Sequence, residues 1–194
     1  MRFAPLRGPL AWTGTILNNG TIEGAGTQVT TLEGRLEGVG TISGSNVRFG
    51  GNSCWAIAAD NTGFTQKIDV SGVTDPAFFQ GLKNVEITFT GDPSVDCCFE
   101  IGSAGNLKTA ADITLTLKDA AGDPIENKGY LFVSSDGKLM FQIAQTWIEK
   151  AVWTGAVSTD LTDPANWQCT NGEEPVTGVP MAMTRIVLPD GCTF

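Results

Sequence analysis

Asp92 with Asp96, and Asp119 with Asp123, are the places where this chain could bring two carboxylates close enough for general acid–base work. Both pairs lie beside glycine and proline, where a short acidic side chain bonds its own backbone and stays solvated. They therefore read as turn residues. A lyase-type base would need arginine or lysine next to carboxylate-bound calcium, but Arg35 and Arg48 stand alone and the lysines are scattered singly. The chain contains no histidine. That excludes an imidazole base, a Ser-His or Cys-His nucleophile and a His-ligated metal. No catalytic residue is assigned, and the expectation is a protein that is not an enzyme.

Binding chemistry has three candidate sources. Asp160, Asp163, Asn166 and Asn171, with Glu173-Glu174 nearby, supply hard oxygen atoms suited to calcium. They form no Asp-x-Asp-x-Asp run and no Gly-Gly-x-Gly-x-Asp repeat, so turn roles come first and no cofactor is assigned. Cys54, Cys97, Cys98, Cys169 and Cys192 are odd in number, with no Cys-x-x-Cys spacing. Small buried residues is the first reading and a Cys169–Cys192 bridge the second; Cys97 and Cys98, adjacent on a strand, should face opposite ways. Of the tryptophans, Trp12 reads as a core plug. Trp55, Trp147, Trp153 and Trp167 are either packing residues or flat platforms for stacking a glycan ring.

Composition narrows the partners. Twelve basic against 21 acidic side chains leave a net charge of −9, which repels phosphate backbones and excludes nucleic acid as a partner. No run approaches the ~18 apolar residues of a membrane helix, so membrane insertion by this segment is not expected. Met1-Arg2-Phe3-Ala4-Pro5-Leu6-Arg7 breaks too early for a secretory leader. Leu188-Pro189-Asp190-Gly191-Cys192-Thr193-Phe194 stops without a terminating element, and the expectation is an interior piece of a longer secreted polypeptide.

The elements that would position these groups are almost all strands. Lys67–Val70, Val85–Thr90 and Asp112–Lys118 alternate apolar and polar residues. Tyr130–Val133 and Lys138–Ile143 flank Ser134-Ser135-Asp136-Gly137, a hairpin signal, and Ala120–Pro124 is a further turn. One short helix is expected over Thr74–Leu82, with an early proline and a late glycine.

The Gly- and Thr-rich N-terminal third carries a repeat. Gly20-Thr21-Ile22-Glu23-Gly24 recurs as Gly40-Thr41-Ile42-Ser43-Gly44, with a short strand, Leu32–Gly38, between the copies. A period near twenty residues belongs to solenoids, with isoleucine inward and glycine at the corners. The fold class is all-β, first as a right-handed parallel β-helix and second as a β-sandwich. Residues 1–149 are expected to form the solenoid domain. At Glu149-Lys150-Ala151 the composition shifts, and 150–194, with one clear strand at Thr184–Leu188, reads as the truncated start of a second β-rich module.

Trp153-Thr154-Gly155, Asp163-Pro164-Ala165-Asn166-Trp167, Val179-Pro180 and Arg185-Ile186-Val187-Leu188-Pro189 resemble a signature of large bacterial surface proteins. These are proteins carrying autotransporter-associated β-strand repeats. Leu17–Gly24 and Gly38–Gly44 resemble the passenger coils of the same proteins, and Ala11-Trp12-Thr13-Gly14 echoes Val152–Gly155. The resemblance implies an extracellular or cell-surface location and a structural, adhesive or display role. The partners it implies are a glycan or host-surface ligand and further modules of the same polypeptide. A carbohydrate-binding module is the alternative, and a polysaccharide-degrading enzyme the third choice.

Overall fold

The computed structural model describes residues 10–24, 26–126, 128–144, 148–181 and 184–192; residues 1–9, on which the leader reading falls, and Trp147 lie outside them. The protein is all-β. Glycines cut the N-terminal third into short extended runs, because β-branched residues between them favour strands and each glycine allows a corner. The strands of the first part are β1 (Leu10–Trp12), β2 (Thr15–Leu17), β3 (Thr21–Gly24), β4 (Thr30–Leu32), β5 (Arg35–Glu37) and β6 (Thr41–Gly44). There follow β7 (Val47–Phe49), β8 (Ser53–Asp60), β9 (Gly63–Gln66), β10 (Asp69–Val73) and β11 (Leu82–Phe89). β12 (Cys97–Ser103), β13 (Thr114–Lys118), β14 (Gly129–Val133) and β15 (Lys138–Ile143) complete this part.

Pairing goes by threes. One parallel sheet has the order β1-β4-β7 and a second the order β10-β6-β3. The largest runs β13-β11-β8-β5-β2, with β9 antiparallel on β8. From β1 to β8 consecutive strands thus enter different sheets, and the chain returns to each sheet one pass later. In the first two passes Thr21 pairs with Thr41, Ile22 with Ile42 and Gly24 with Gly44, so the sequence repeat is the lateral register itself. The Asn19 carboxamide oxygen accepts from the Val39 amide 20 residues on. Farther along the passes lengthen, and Asn61 meets the Asp92 amide across 31 residues. The antiparallel sheets of a sandwich are not what these three sheets form.

The core follows from this alternation. Leu32, Leu36 and Ile42, one from each of three successive strands, are fully buried in one cluster. On β8 the inward residues are Ser53, Trp55, Ile57 and Ala59. Each large apolar side chain so buried stabilises by ~1.5–3 kcal/mol. Backbones pack closely where passes stack: a methyl on Gly34 would lie 1.7 Å from the Gly14 carbonyl oxygen, leaving room for hydrogen alone. Asn18, also buried, donates from Nδ2 to the Thr41 carbonyl at 3.1 Å and accepts the Gly20 amide at 3.1 Å, satisfying backbone groups at a corner.

The expected hairpin is present. β14 and β15 pair antiparallel around Ser134–Gly137, with Gly137 at φ +76°, and β12 joins on the other side of β15. The expected helix at Thr74–Leu82 is not. Residues 76–81 form successive turns instead, with Phe78, Gln80 and Leu82 amides bonded three residues back. Phe78 and Phe79 are both buried, and the Phe49 amide donates to the Phe78 carbonyl, so the segment continues the edge of β7. Packing of the two rings overrides the weak helical preference of the stretch.

The chain divides into two compact units, Met1–Ile143 and Ala144–Phe194. The second contains β16 (Lys150–Trp153), a 3-10 turn (Pro164–Asn166), β17 (Trp167–Asn171), β18 (Glu174–Val176) and β19 (Arg185–Val187). Its sheet runs β18-β17-β16-β19, parallel only between β16 and β19. The sequence shows one of these strands; the others are short and polar, so their period of two is faint. Ile148, Ala151 and Cys169 make a small core, covered by Trp167, Val176 and Met181.

Candidate functional site

Three arrangements of polar side chains stand out among the described residues. The first lies on the outer face of the largest sheet. Because β8 alternates, Cys54, Ala56 and Ala58 face outward, and these small residues form a trough that a long side chain can cross. Arg35 of β5 crosses it to Glu86 of β11, Nη2 to Oε1 at 2.8 Å, while its Nε donates to Glu37 at 3.0 Å. Lys118 of β13 reaches the other Glu86 oxygen at 3.1 Å. Arg35, isolated in sequence, is therefore the centre of a four-residue network. The hydrogen bond from Arg35, reinforced by Lys118, holds the Glu86 carboxyl below the usual carboxylate range against the opposing effect of burial. A carboxylate pinned by two cations is a poor proton donor near neutral pH. Cys54 Sγ lies 4.0 Å from Arg35 Nη1, yet burial outweighs the guanidinium and pushes the thiol up, away from a reactive thiolate.

The second arrangement is a cavity of about 250 Å³ at the 70–79 segment. Val70, Val73, Phe78 and Phe79 supply apolar wall, and Asp75 and Ser103 supply polar atoms. The Asp75 side chain is wholly buried. Oδ1 accepts the Ala77 amide at 2.9 Å, which starts the run of turns, and Oδ2 accepts Arg48 Nε at 2.7 Å. Arg48 remains 44% exposed, so it approaches the carboxylate from the solvent side. Gly105 closes over Pro76 at φ +58°, where a methyl would meet the Pro76 carbonyl at 2.4 Å.

The third is an open groove of about 500 Å³ in the second unit, lined by Trp153, Thr154, Ser158, Thr159, Asp190 and Cys192 among others. Asn166 shapes one bank. Fully buried, it accepts the Val157 and Ser158 amides at 3.0 Å each through Oδ1, and donates from Nδ2 to Ser158 Oγ and the Asp160 carbonyl. Asp163 caps the 3-10 turn by accepting the Ala165 amide at 2.9 Å, with proline at the turn's start. The Asp-Pro-Ala-Asn-Trp stretch is thus a self-bonded loop.

The tryptophans divide. Trp55 is fully buried, packed at 5.9 Å from Phe79, and presents no face to a sugar. Trp153 is also buried, edge-on to Trp167 at 4.9 Å between ring centres. The glycan-stacking expectation is therefore corrected at Trp55 and Trp153: inward strand positions bury them. Trp167 is half-buried, and its Nε1 donates to the Leu161 carbonyl at 2.9 Å. Trp147 lies outside the described residues.

Other candidate groups serve their own loops. Asp92 accepts from the Ser94 amide and hydroxyl at 2.8 and 2.6 Å, bonds that hold its carboxyl below the ordinary range. Asp119 accepts the Ala121 and Asp123 amides, both at 2.9 Å. Of the oxygens considered for calcium, those of Asp160, Asp163 and Asn166 accept bonds within the loop, and no group of three or more acidic, Cys or His side chains converges among the described residues. All five cysteines are free thiols; Cys169 is buried and donates to the Gly178 carbonyl at 3.4 Å, which corrects the Cys169–Cys192 bridge. Cys97 packs on the core while Cys98 is exposed.

Sequence reasoning missed the Arg35–Glu86–Lys118 network, the Arg48–Asp75 pair and the Asn166 hub. Each joins residues whose sequence separation carries no periodic signal, except Asn166, whose place after Asp-Pro-Ala marks a capped turn. No protein-family model, curated protein or solved structure matches this chain.

Proposed function

We propose that this chain is a structural segment of a secreted bacterial surface protein, a stalk or display scaffold. In this reading residues 1–149 wind as a right-handed parallel β-solenoid, and 150–194 open a further module of the same polypeptide. The observation that carries it is the register of Thr21–Gly24 on Thr41–Gly44, which sets threonine over threonine, isoleucine over isoleucine and glycine over glycine. Such stacking extends by adding passes and resists pulling through a shared ladder of backbone bonds. The charged groups on the outer sheet face pair with one another, which suits a surface that keeps its shape.

Single-molecule pulling from the two termini tests this. A scaffold of stacked passes gives successive rupture events, the first pass of twenty residues releasing about 70 Å of chain, since extended residues span ~3.3–3.6 Å. One featureless low-force extension would sink the proposal.

A second reading rests on the groove of the second unit: its hydroxyls and Asp190 suit a saccharide. Binding on a glycan array that disappears in Asp190→Ala supports it; binding unchanged by that substitution excludes the groove.

A further inference from the structure

We infer that the end of the first unit formed by β1, β2 and β3 is a docking face for a second copy of this chain, met head to head about a two-fold axis. Such a dimer requires the stacked register of the first passes but neither secretion nor a stalk, so it stands or falls apart from the scaffold reading.

Strand pairing leaves this end open. Among the described residues β1, β2 and β3 each pair on one side only, with β4, β5 and β6. The opposite edges are engaged. The Phe49 amide of β7 donates to the Phe78 carbonyl, Lys118 of β13 bridges to Pro124, and a methyl on Gly102 of β12 would meet Val70 of β10 at 2.9 Å. A second copy has no free parallel ladder to offer there, so the match for three bare edges is the same face of another molecule.

The face is more open than the pass beneath it. Gly20 is exposed where Gly40 is buried, Ile22 is half-buried where Ile42 is fully buried, and Leu17 is 62% exposed. Gly20 carries the further signal. Gly40 must be glycine, because a methyl there would lie 2.3 Å from the Gly20 carbonyl of the pass above. Gly20 holds the same place in its own pass, yet a methyl on it would meet nothing within 4 Å among the described residues, and its φ is not left-handed. The position is shaped for a backbone that one copy does not supply.

Along a strand, alternate residues turn their peptide groups to opposite sides. The Gly14 carbonyl accepts the Arg35 amide, and Asn18 bonds the Glu37 carbonyl and the Gly40 amide. Gly14, Ile16 and Asn18 therefore face the second pass, and Thr15 and Leu17 turn N–H and C=O outward. A two-fold through Ile16 lays β2 antiparallel on β2 of the second copy, with Thr15 opposite Leu17, and each such pair exchanges both of its bonds. The same rotation sets β3 over β1, and the Gly14 corner over the Asn18–Gly20 corner. Charge permits the contact. From Leu10 to Gly24 the one ionisable side chain is Glu23, and the rotation places it over Leu10-Ala11-Trp12, away from Glu23 of the second copy. Two chains of net charge −9 thus meet at an end that carries a single carboxylate on each.

Sedimentation equilibrium of the full chain should show monomer and dimer with a dissociation constant below about 100 µM, and no larger species, since a two-fold contact closes on itself. Salt screens the repulsion between acidic copies, so the dimer should tighten between about 0.01 and 0.5 M sodium chloride. The Thr15, Leu17 and Thr21 amides should gain protection from hydrogen exchange on dimerisation. Gly20→Ala, whose methyl stands in open space in one copy, should weaken the dimer at least about tenfold at an unchanged melting temperature of the dilute monomer. Leu17→Pro removes an outward N–H, keeps the bonds of Ile16 and Asn18, and should weaken it as much. Should Leu17→Pro also lower the monomer's melting temperature, Gly20→Ala alone decides. A monomer at every concentration, open-ended growth, or a dimer indifferent to Gly20→Ala would each overturn the assignment. So would protection of the three amides already in the monomer, which would mean that another part of the chain covers the edge, or protection arising at β18 or β19 instead.

Discussion

Gly44 lies so close over Gly24 that a methyl group on it would sit 2.1 Å from the Gly24 carbonyl oxygen. Gly44 also has φ +96°, a conformation that side chains resist. Gly122 shares that strain, at φ +91°, but has open space around it. Gly44→Ala should therefore cost about 3 kcal/mol or more, strain and overpacking together, against about 1–2 for Gly122→Ala. Urea unfolding followed by tryptophan fluorescence measures both. Equal losses would show that backbone strain alone sets the cost and that the contact between passes contributes nothing.

The Arg35–Glu86–Lys118 network predicts a pH dependence. The Glu86 carboxyl titrates below its usual 4.5 when folded. A group depressed on folding binds fewer protons in the native state, so its contribution is present above about pH 4.5 and fades as pH falls through the folded value. Glu86→Gln should cost about 1 kcal/mol at pH 7, a modest figure because the pairs are partly solvated. Stability curves of the two proteins should converge as pH falls below about 4.5. Curves that stay parallel as the acid limb is descended would show that Glu86 acts by packing and not by charge.

Arg48 and Asp75 form a lopsided pair, one partner exposed and the other buried. Arg48→Met leaves a buried carboxylate with a single backbone donor and should cost about 2–3 kcal/mol, the lower side for breaking such a pair. Adding Asp75→Asn, which keeps the acceptor for the Ala77 amide, should recover part of that loss. The double-mutant cycle reports the coupling directly; a coupling near zero would mean that solvent already screens the pair.

Asn166→Ala removes the four bonds that its side chain makes to the 157–160 loop. The expected loss for the second unit is about 3 kcal/mol. Hydrogen exchange at the Val157 and Ser158 amides should accelerate strongly while β17 exchanges more nearly as before. Protection retained at those two amides would show that the loop does not depend on Asn166.

Ile22 over Ile42 was legible because identical residues in identical surroundings produce identical strands, and the repeat in sequence is the stacking in space. The hairpin at Ser134–Gly137 was legible because its turn residues dictate the local backbone. Trp55 shows where reading stopped. Ser53, Trp55, Ile57 and Ala59 alternate inward with Cys54, Ala56 and Ala58, but seven small or apolar residues in a row mask a period of two. Arg35 and Glu86 meet only because a third strand of small residues lies between theirs. Nothing at either position announces the other. Phe78 and Phe79 looked helical, and the edge of β7 they complete lies far back in the chain.

The uniform twenty-residue offset between the first pass and the second constrains how such a gene can change. A duplication of one whole pass, inserted after Gly24, would set glycine over glycine again and leave both flanks undisturbed. An insertion of any other length would place side chains where Gly34 and Gly44 leave room only for hydrogen. Length variants of this segment should differ by whole passes, so that the protein grows or shrinks in discrete steps.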